Sequence, residues 1–180
     1  HDLADVVPLT RQALQLNPSL TVMASPWTAP AWMKDSGSLN GGWLKAEDYG
    51  AYANYFVKYL QAYKNQGVNV SYVTPQNEPT CCSGYPSMSW NASGIQYFLK
   101  SELLPKLQSA GLSTKVLAHD WNWDVYDSYA AASVDDAEIL TSPFSSLSRT
   151  ARDRSSANCA TRRIAAFKSS AFRGTTLLLS

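Results

Sequence analysis

Val70-Ser71-Tyr72-Val73-Thr74-Pro75-Gln76-Asn77-Glu78-Pro79 is the stretch from which the fold is read. It opens as a strand, because Val70, Tyr72 and Val73 have the β-branched or aromatic character that suits a buried pleat. It breaks at Pro75 and Pro79, on either side of an adjacent amide and carboxylate. Burying Asn77 and Glu78 there costs free energy unless both find partners. In α/β folds the C-terminal ends of parallel strands are where chemistry sits. A turn in which Asn77 bonds the backbone and Glu78 is solvated is the plainer alternative.

Upstream, residues 47–66 carry Tyr52, Tyr55, Phe56, Tyr59, Leu60 and Tyr63 at three- and four-residue steps, which predicts a helix stopped by Gly67. Residues 20–25 read as a short apolar strand leading into the loop Pro26-Trp27-Thr28-Ala29-Pro30-Ala31-Trp32-Met33. Residues 5–16 read as a helix with Val6, Leu9, Ala13 and Leu16 on its apolar face and Pro8 in its first turn. Downstream, residues 93–110 predict a helix with Pro105 as a kink or break and Gly111 as its stop. Residues 115–118 form a third strand, opening into His119-Asp120-Trp121-Asn122-Trp123-Asp124.

The order helix, strand, helix, strand, helix, strand makes successive strands parallel with helical crossovers. Each strand ends in a loop containing Trp and polar groups, which favours a (β/α)8 barrel with its loops around one pocket. A doubly wound sheet is the alternative, but no Gly-rich phosphate turn follows any strand. Three strands cannot close a barrel, so the α/β reading is a fragment of about three β/α units.

Composition divides the chain. Residues 1–140 carry 8 Lys/Arg against 13 Asp/Glu, and residues 141–180 carry 7 against 1. All six Trp and all ten Tyr precede residue 130, whereas six of the seven Arg follow residue 140. The chain starts at His1 without an initiator Met and has no apolar run long enough to span a membrane, so it reads as a soluble piece, mature or truncated. Abundant Trp and Tyr with few Lys suit a secreted carbohydrate-active protein. Cys81, Cys82 and Cys159 match no zinc spacing. The adjacent Cys81 and Cys82 read as two small loop residues, with a vicinal disulfide after Glu78 as the alternative.

Trp27 and Trp32, Asn77 and Glu78, and His119, Asp120 and Trp121 fall at three consecutive strand ends. Aromatic faces beside carboxylates and amides suit a sugar, whose C–H faces stack while its hydroxyls take polar partners. A carboxyl group among aromatics also has its pKa raised, as a general acid requires near neutral pH. Loop packing onto the core is the alternative for each Trp taken singly.

These residues resemble glycoside hydrolase family 30, which includes the lysosomal glucosylceramidase and microbial endo-β-1,6-glucanases, galactanases and xylanases. Ala24-Ser25-Pro26-Trp27-Thr28-Ala29-Pro30-Ala31-Trp32-Met33-Lys34 is similar to its third-strand motif. Gln76-Asn77-Glu78-Pro79, followed by Ser83-Gly84-Tyr85-Pro86, is similar to its fourth, and Leu117-Ala118-His119-Asp120 to its fifth. The resemblance implies a TIM barrel that hydrolyses a β-glycosidic bond with retention, with no metal or cofactor. Glu78 would be the acid/base that protonates the leaving oxygen and later activates water. Asn77 would bond the sugar 2-hydroxyl, Trp27 and Asp120 would hold the glycone, and Tyr85 and Trp121 would line the pocket.

The resemblance also implies a nucleophilic Glu on the seventh strand, which this sequence lacks. Retaining chemistry needs two carboxyl groups about 5 Å apart. The chain alone is therefore expected to be inactive, and marginally stable because an opened barrel leaves strand flanks uncovered. A non-catalytic sugar-binding module using Trp27, Trp32 and Trp121 is the competing class; in either case the partner is a β-linked saccharide or glycoside. The expected division is a partial catalytic domain over 1–138 and an irregular Arg/Ser-rich tail over 139–180. The tail reads as sequence never selected to fold, such as a reading-frame shift leaves, rather than as a basic arm for nucleic acid.

Overall fold

A computed structural model describes residues 2–81, 84–121, 125–136, 139 and 176–179. Its centre is a parallel sheet containing β1 (Thr21–Ala24), β2 (Val70–Val73) and β3 (Lys115–Val116). A fourth strand, β4 (Thr176–Leu179), lies along the other flank of β1, so the order across the sheet is β3-β2-β1-β4. Every pairing is parallel. Helix α1 (Val7–Leu16) precedes β1, and α2 (Tyr49–Asn65) crosses from β1 to β2. The segment from α3 (Ala92–Tyr97) to α4 (Leu104–Ser109) crosses from β2 to β3, and α5 (Ala132–Val134) follows β3. This is the expected partial (β/α) barrel.

The register explains which side chains meet the helices. Val22 pairs with Val70 and Met23 with Tyr72, so Ser71 is an extra residue in β2. A bulge of this kind lets Val70 and Val73, three apart, face the same way. Both join Val22, Ala24 and Val116 in the core with Phe56, Leu60, Phe98 and Leu103 of the crossover helices. By alternation Met23, Ser25, Tyr72 and Thr74 point to the opposite face, the interior side of a barrel.

Both crossover helices follow their sequence signals. Gly67 and Gly111 stop them with φ of 78° and 63°, a region where a Cβ is penalised. Pro105 sits in the first turn of α4, and the six residues before that helix, Phe98–Leu103, are wound in wider π-type turns. The helix opens where the proline ring would meet the preceding carbonyls.

One expectation changes. In α1 the buried residues are Val7 and Thr10, whereas Leu9 and Leu16 are 65% and 88% exposed. The stripe is rotated because the Thr10 hydroxyl donates to the Val6 carbonyl at 2.7 Å, which lets a polar residue lie inward. In the tail, Thr176–Leu179 pairs in parallel with β1, with Thr21 opposite Thr176 and Ala24 opposite Leu179. The β1 flank expected to be open is thereby covered. The other residues of 140–180 lie outside the described residues, and no described helix is long and apolar enough to cross a membrane.

Candidate active site

The three strand ends are tied by backbone hydrogen bonds that continue past the strands. Thr74 N–H donates to the Ala24 carbonyl at 3.0 Å, and Asn77 N–H to the Pro26 carbonyl at 2.9 Å. On the other side Leu117 N–H donates to the Val73 carbonyl, and Glu78 N–H to the Asp120 carbonyl, each at 2.9 Å. Asn77 and Glu78 are thus held from opposite sides, one by the chain after β1 and one by the chain after β3. Glu78 has φ of 45°, the only described non-glycine residue in the left-handed region. That conformation costs an L-residue roughly 1–2 kcal/mol and persists where its surroundings over-determine it. Cys81 N–H closes the turn onto the Glu78 carbonyl at 3.0 Å.

Below this turn lies a polar cluster that sequence reasoning missed. The Ser25 hydroxyl, 2% exposed, donates to Asp120 Oδ2 at 2.8 Å and lies 2.5 Å from the hydroxyl of the fully buried Thr74. The fully buried Gln76 amide donates to the carbonyls of Trp27 at 2.7 Å and Asn77 at 2.8 Å. Its Oε1 has no hydrogen-bond partner among the described residues. The available signal was alternation: Ser25 and Thr74 follow Met23 and Tyr72 by two and so share their face.

The aromatic rim is the part exposed to solvent. Trp27 and Tyr85 are each 41% exposed and meet edge to face, with ring centroids 5.7 Å apart. Asn77, Glu78, Asp120 and Trp121 are half-buried. Trp32 is exposed in the turn Ala31–Met33, and the His119 ring packs on Tyr129 at 5.0 Å. The structure therefore brings Trp27, Asn77, Glu78, Tyr85 and Asp120 to one end of the sheet. Asn122, Trp123 and Asp124 lie outside the described residues. Cys81 is disulfide-bonded, against its reading as a plain loop residue.

The loops themselves are pinned by Lys34. Its side chain is 1% exposed, yet its Nζ donates to Thr28 Oγ1 at 2.9 Å, the Leu39 carbonyl at 2.9 Å and the Ser87 carbonyl at 2.8 Å. All three ammonium protons are used. Burial pushes the ammonium below the usual lysine range, opposed in part by the Asp35 carboxylate. A separate cavity of about 290 Å³, lined by Ala24, Trp27, Tyr52, Tyr55 and Tyr59, lies on the helix side of β1 and does not include Glu78. Among the described residues no three His, Cys, Asp or Glu side chains gather as metal ligands do.

A parallel sheet with a carboxylate, an amide and aromatic rings at its strand ends defines a partial (β/α) barrel with its polar groups gathered at one end. Residues 1–144 match the glycosyl hydrolase family 30 TIM-barrel domain, and the chain belongs to that family. It is 41% identical to endo-1,6-beta-D-glucanase neg1 of Aspergillus fumigatus, covering 61% of this chain and 26% of that protein. It is 36% identical to the lysosomal acid glucosylceramidase of Mus musculus, covering 63% and 24%. Among solved structures it resembles the endo-beta1,6-glucanase BT3312, with 38% identity and a TM-score of 0.67, over 70% of this chain and 29% of that one. SrfJ from Salmonella typhimurium superposes with 32% identity and a TM-score of 0.71, over 75% and 31%. The chain spans about a quarter of the length of the curated relatives it matches.

Proposed function

We propose that this chain carries the acid/base half of a retaining β-glycosidase and that Glu78 is that acid/base. The observation that carries the reading is the Asn77-Glu78 pair, fixed by backbone hydrogen bonds from both neighbouring strand ends, at the end of the sheet where Trp27 and Tyr85 meet edge to face. A group held this way stands ready to protonate the leaving oxygen without reorganising. Asn77 takes the 2-hydroxyl, Trp27, Tyr85 and Trp121 offer rings to the sugar's C–H faces, and Asp120 takes glycone hydroxyls.

Because relatives named as β-1,6-glucanases reach 41% and 38% identity, β-1,6-linked glucan is the substrate class to test first. Among the described residues no carboxylate stands as the nucleophile to Glu78: Asp120 is engaged by Ser25, and Glu102 sits among the helical turns opposite Lys106. The chain alone is therefore inactive, and the parent enzyme, placed outside the cell, completes the pair from elsewhere.

The test is hydrolysis of aryl β-glucoside and β-1,6-glucan by the purified chain, with circular dichroism on the same sample. A folded, inactive chain is expected. Turnover abolished by Glu78→Gln would show that a nucleophile is present after all. The exposed Trp27 and Trp32 favour one second reading, a sugar-binding module without catalysis. In that case Glu78→Gln, placed in a complete barrel, would leave turnover as absent as before and saccharide affinity unchanged.

A further inference from the structure

We infer that Ser25 and Thr74 are positioning residues for Glu78, acting through Asp120; the functional meaning of this rests on Glu78 being the acid/base. Each hydroxyl has one proton to give. Ser25 gives its proton to the Asp120 carboxylate at 2.8 Å, so in the 2.5 Å contact with Thr74 it can only accept. The chain of donation therefore runs one way, Thr74 to Ser25 to Asp120, and crosses the ends of β2, β1 and β3 in turn. Both hydroxyls are sealed from solvent, at 2% and 0% exposure, so neither touches a substrate.

What they reach is the Glu78 backbone. The carbonyl of Asp120 accepts the Glu78 N–H at 2.9 Å, and Pro26, the residue after Ser25, accepts the Asn77 N–H at 2.9 Å. Ser25 thus anchors both contacts, the first through its side chain and the second through the next peptide. These flanking hydrogen bonds hold Glu78 at its φ of 45°. Removing the Ser25 hydroxyl takes away one anchor of the Asp120 side chain and orphans the Thr74 hydroxyl, and the turn relaxes toward ordinary backbone geometry. Charge-assisted hydrogen bonds of this kind are the stronger class, so their loss is felt at the neighbouring peptide.

The experiment is amide hydrogen exchange by NMR on the 15N-labelled chain, reading Glu78 against Leu117, whose N–H pairs β3 with Val73. Ser25→Ala and Thr74→Val are each expected to speed Glu78 exchange about tenfold or more beyond any change at Leu117. Thr74→Ser, which keeps the hydroxyl, is expected to leave Glu78 as in the parent. Titration with a β-1,6-linked glucose disaccharide supplies the second readout, weakened by Thr74→Val and not by Thr74→Ser. Should Ser25→Ala fail to fold, the Val and Ser variants of Thr74 decide alone. Glu78 and Leu117 exchange rising in step would overturn the inference, because it would mean general loosening. A parent chain that ignores the disaccharide yet shows the selective Glu78 response would break the functional reading and uphold the positioning one.

Discussion

The two sides of this sheet's architecture are held by different physics. Against the helices the contacts are aromatic: Phe98 meets Tyr49, Tyr52, Phe56 and Trp90 with centroids between 4.9 and 6.1 Å. At the strand ends the contacts are hydrogen bonds between buried groups with one or two partners each. Packing energy is spread over many weak contacts, so the helix side responds to volume. The polar end responds to single atoms, because one lost donor leaves a buried acceptor unpaired.

The helix side should break hardest. Phe98→Ala removes a fully buried ring and is expected to cost about 3–5 kcal/mol, against less than about 1.5 kcal/mol for Phe98→Leu, read from urea unfolding midpoints. If the two cost the same, volume is not what that face measures.

Next comes Lys34→Met, close in shape but without donors. Three acceptors lose their proton, and a loss of about 2 kcal/mol is expected, with new protease cleavage in both loops it joins. Cleavage confined to one loop would show that the two are not coupled.

The tyrosines sharpen the comparison through pH. Burial first, then the hydrogen bond to Asp2, pushes Tyr63 from 10.0 up to about 12. Burial likewise raises Tyr52, Tyr59 and Tyr129. A phenol that holds its proton longer folded than unfolded gives stability in full below pH 10. That stability is lost as pH climbs through the folded value. Stability should therefore fall from about pH 10 to 12, in step with phenolate absorbance. Lys34, lowered by burial, sheds its proton first when folded, so its own contribution rises with pH up to 10.5. Tyr63→Phe should cost about 1 kcal/mol at neutral pH and flatten the alkaline loss.

The smallest effect has the opposite sign. Glu78→Gly relieves the left-handed backbone and should stabilise the chain by about 0.5–1 kcal/mol, after the larger unfolded-state entropy of glycine is subtracted. Glu78→Gln, which keeps its Cβ, should leave stability unchanged. Equal effects of the two would show that Glu78 carries no strain.

What could be read from the sequence follows the same division. Helix α2 and the strand before Asn77 were legible because their signals are local: tyrosines at helical spacing, and a β-branched run closed by proline. Glu78 was legible as a strand-end carboxylate, and Trp27, Tyr85 and Asp120 came with the motif. Ser25, Thr74 and Lys34 were not, because Ser25 meets Thr74 across 49 residues and Asp120 across 95, and Lys34 reaches Ser87 across 53, so only the fold decides which groups converge. The α1 face was misread for a related reason. Thr10 hides its hydroxyl within its own helix, which a count of apolar residues does not register. The pairing of Thr176–Leu179 with β1 joins segments with no shared local signal at all.

Lys34 has a consequence for how this molecule can be rebuilt. Two of its acceptors, Thr28 and Leu39, belong to the loop after β1, and the third, Ser87, belongs to the loop after β2. A transplant of the first loop into another barrel would carry the cation and strand one of its protons. A transplant of the second would bring a carbonyl with no cation to meet it. The two loops form one cassette, and chimeras that exchange them together should fold where single exchanges do not.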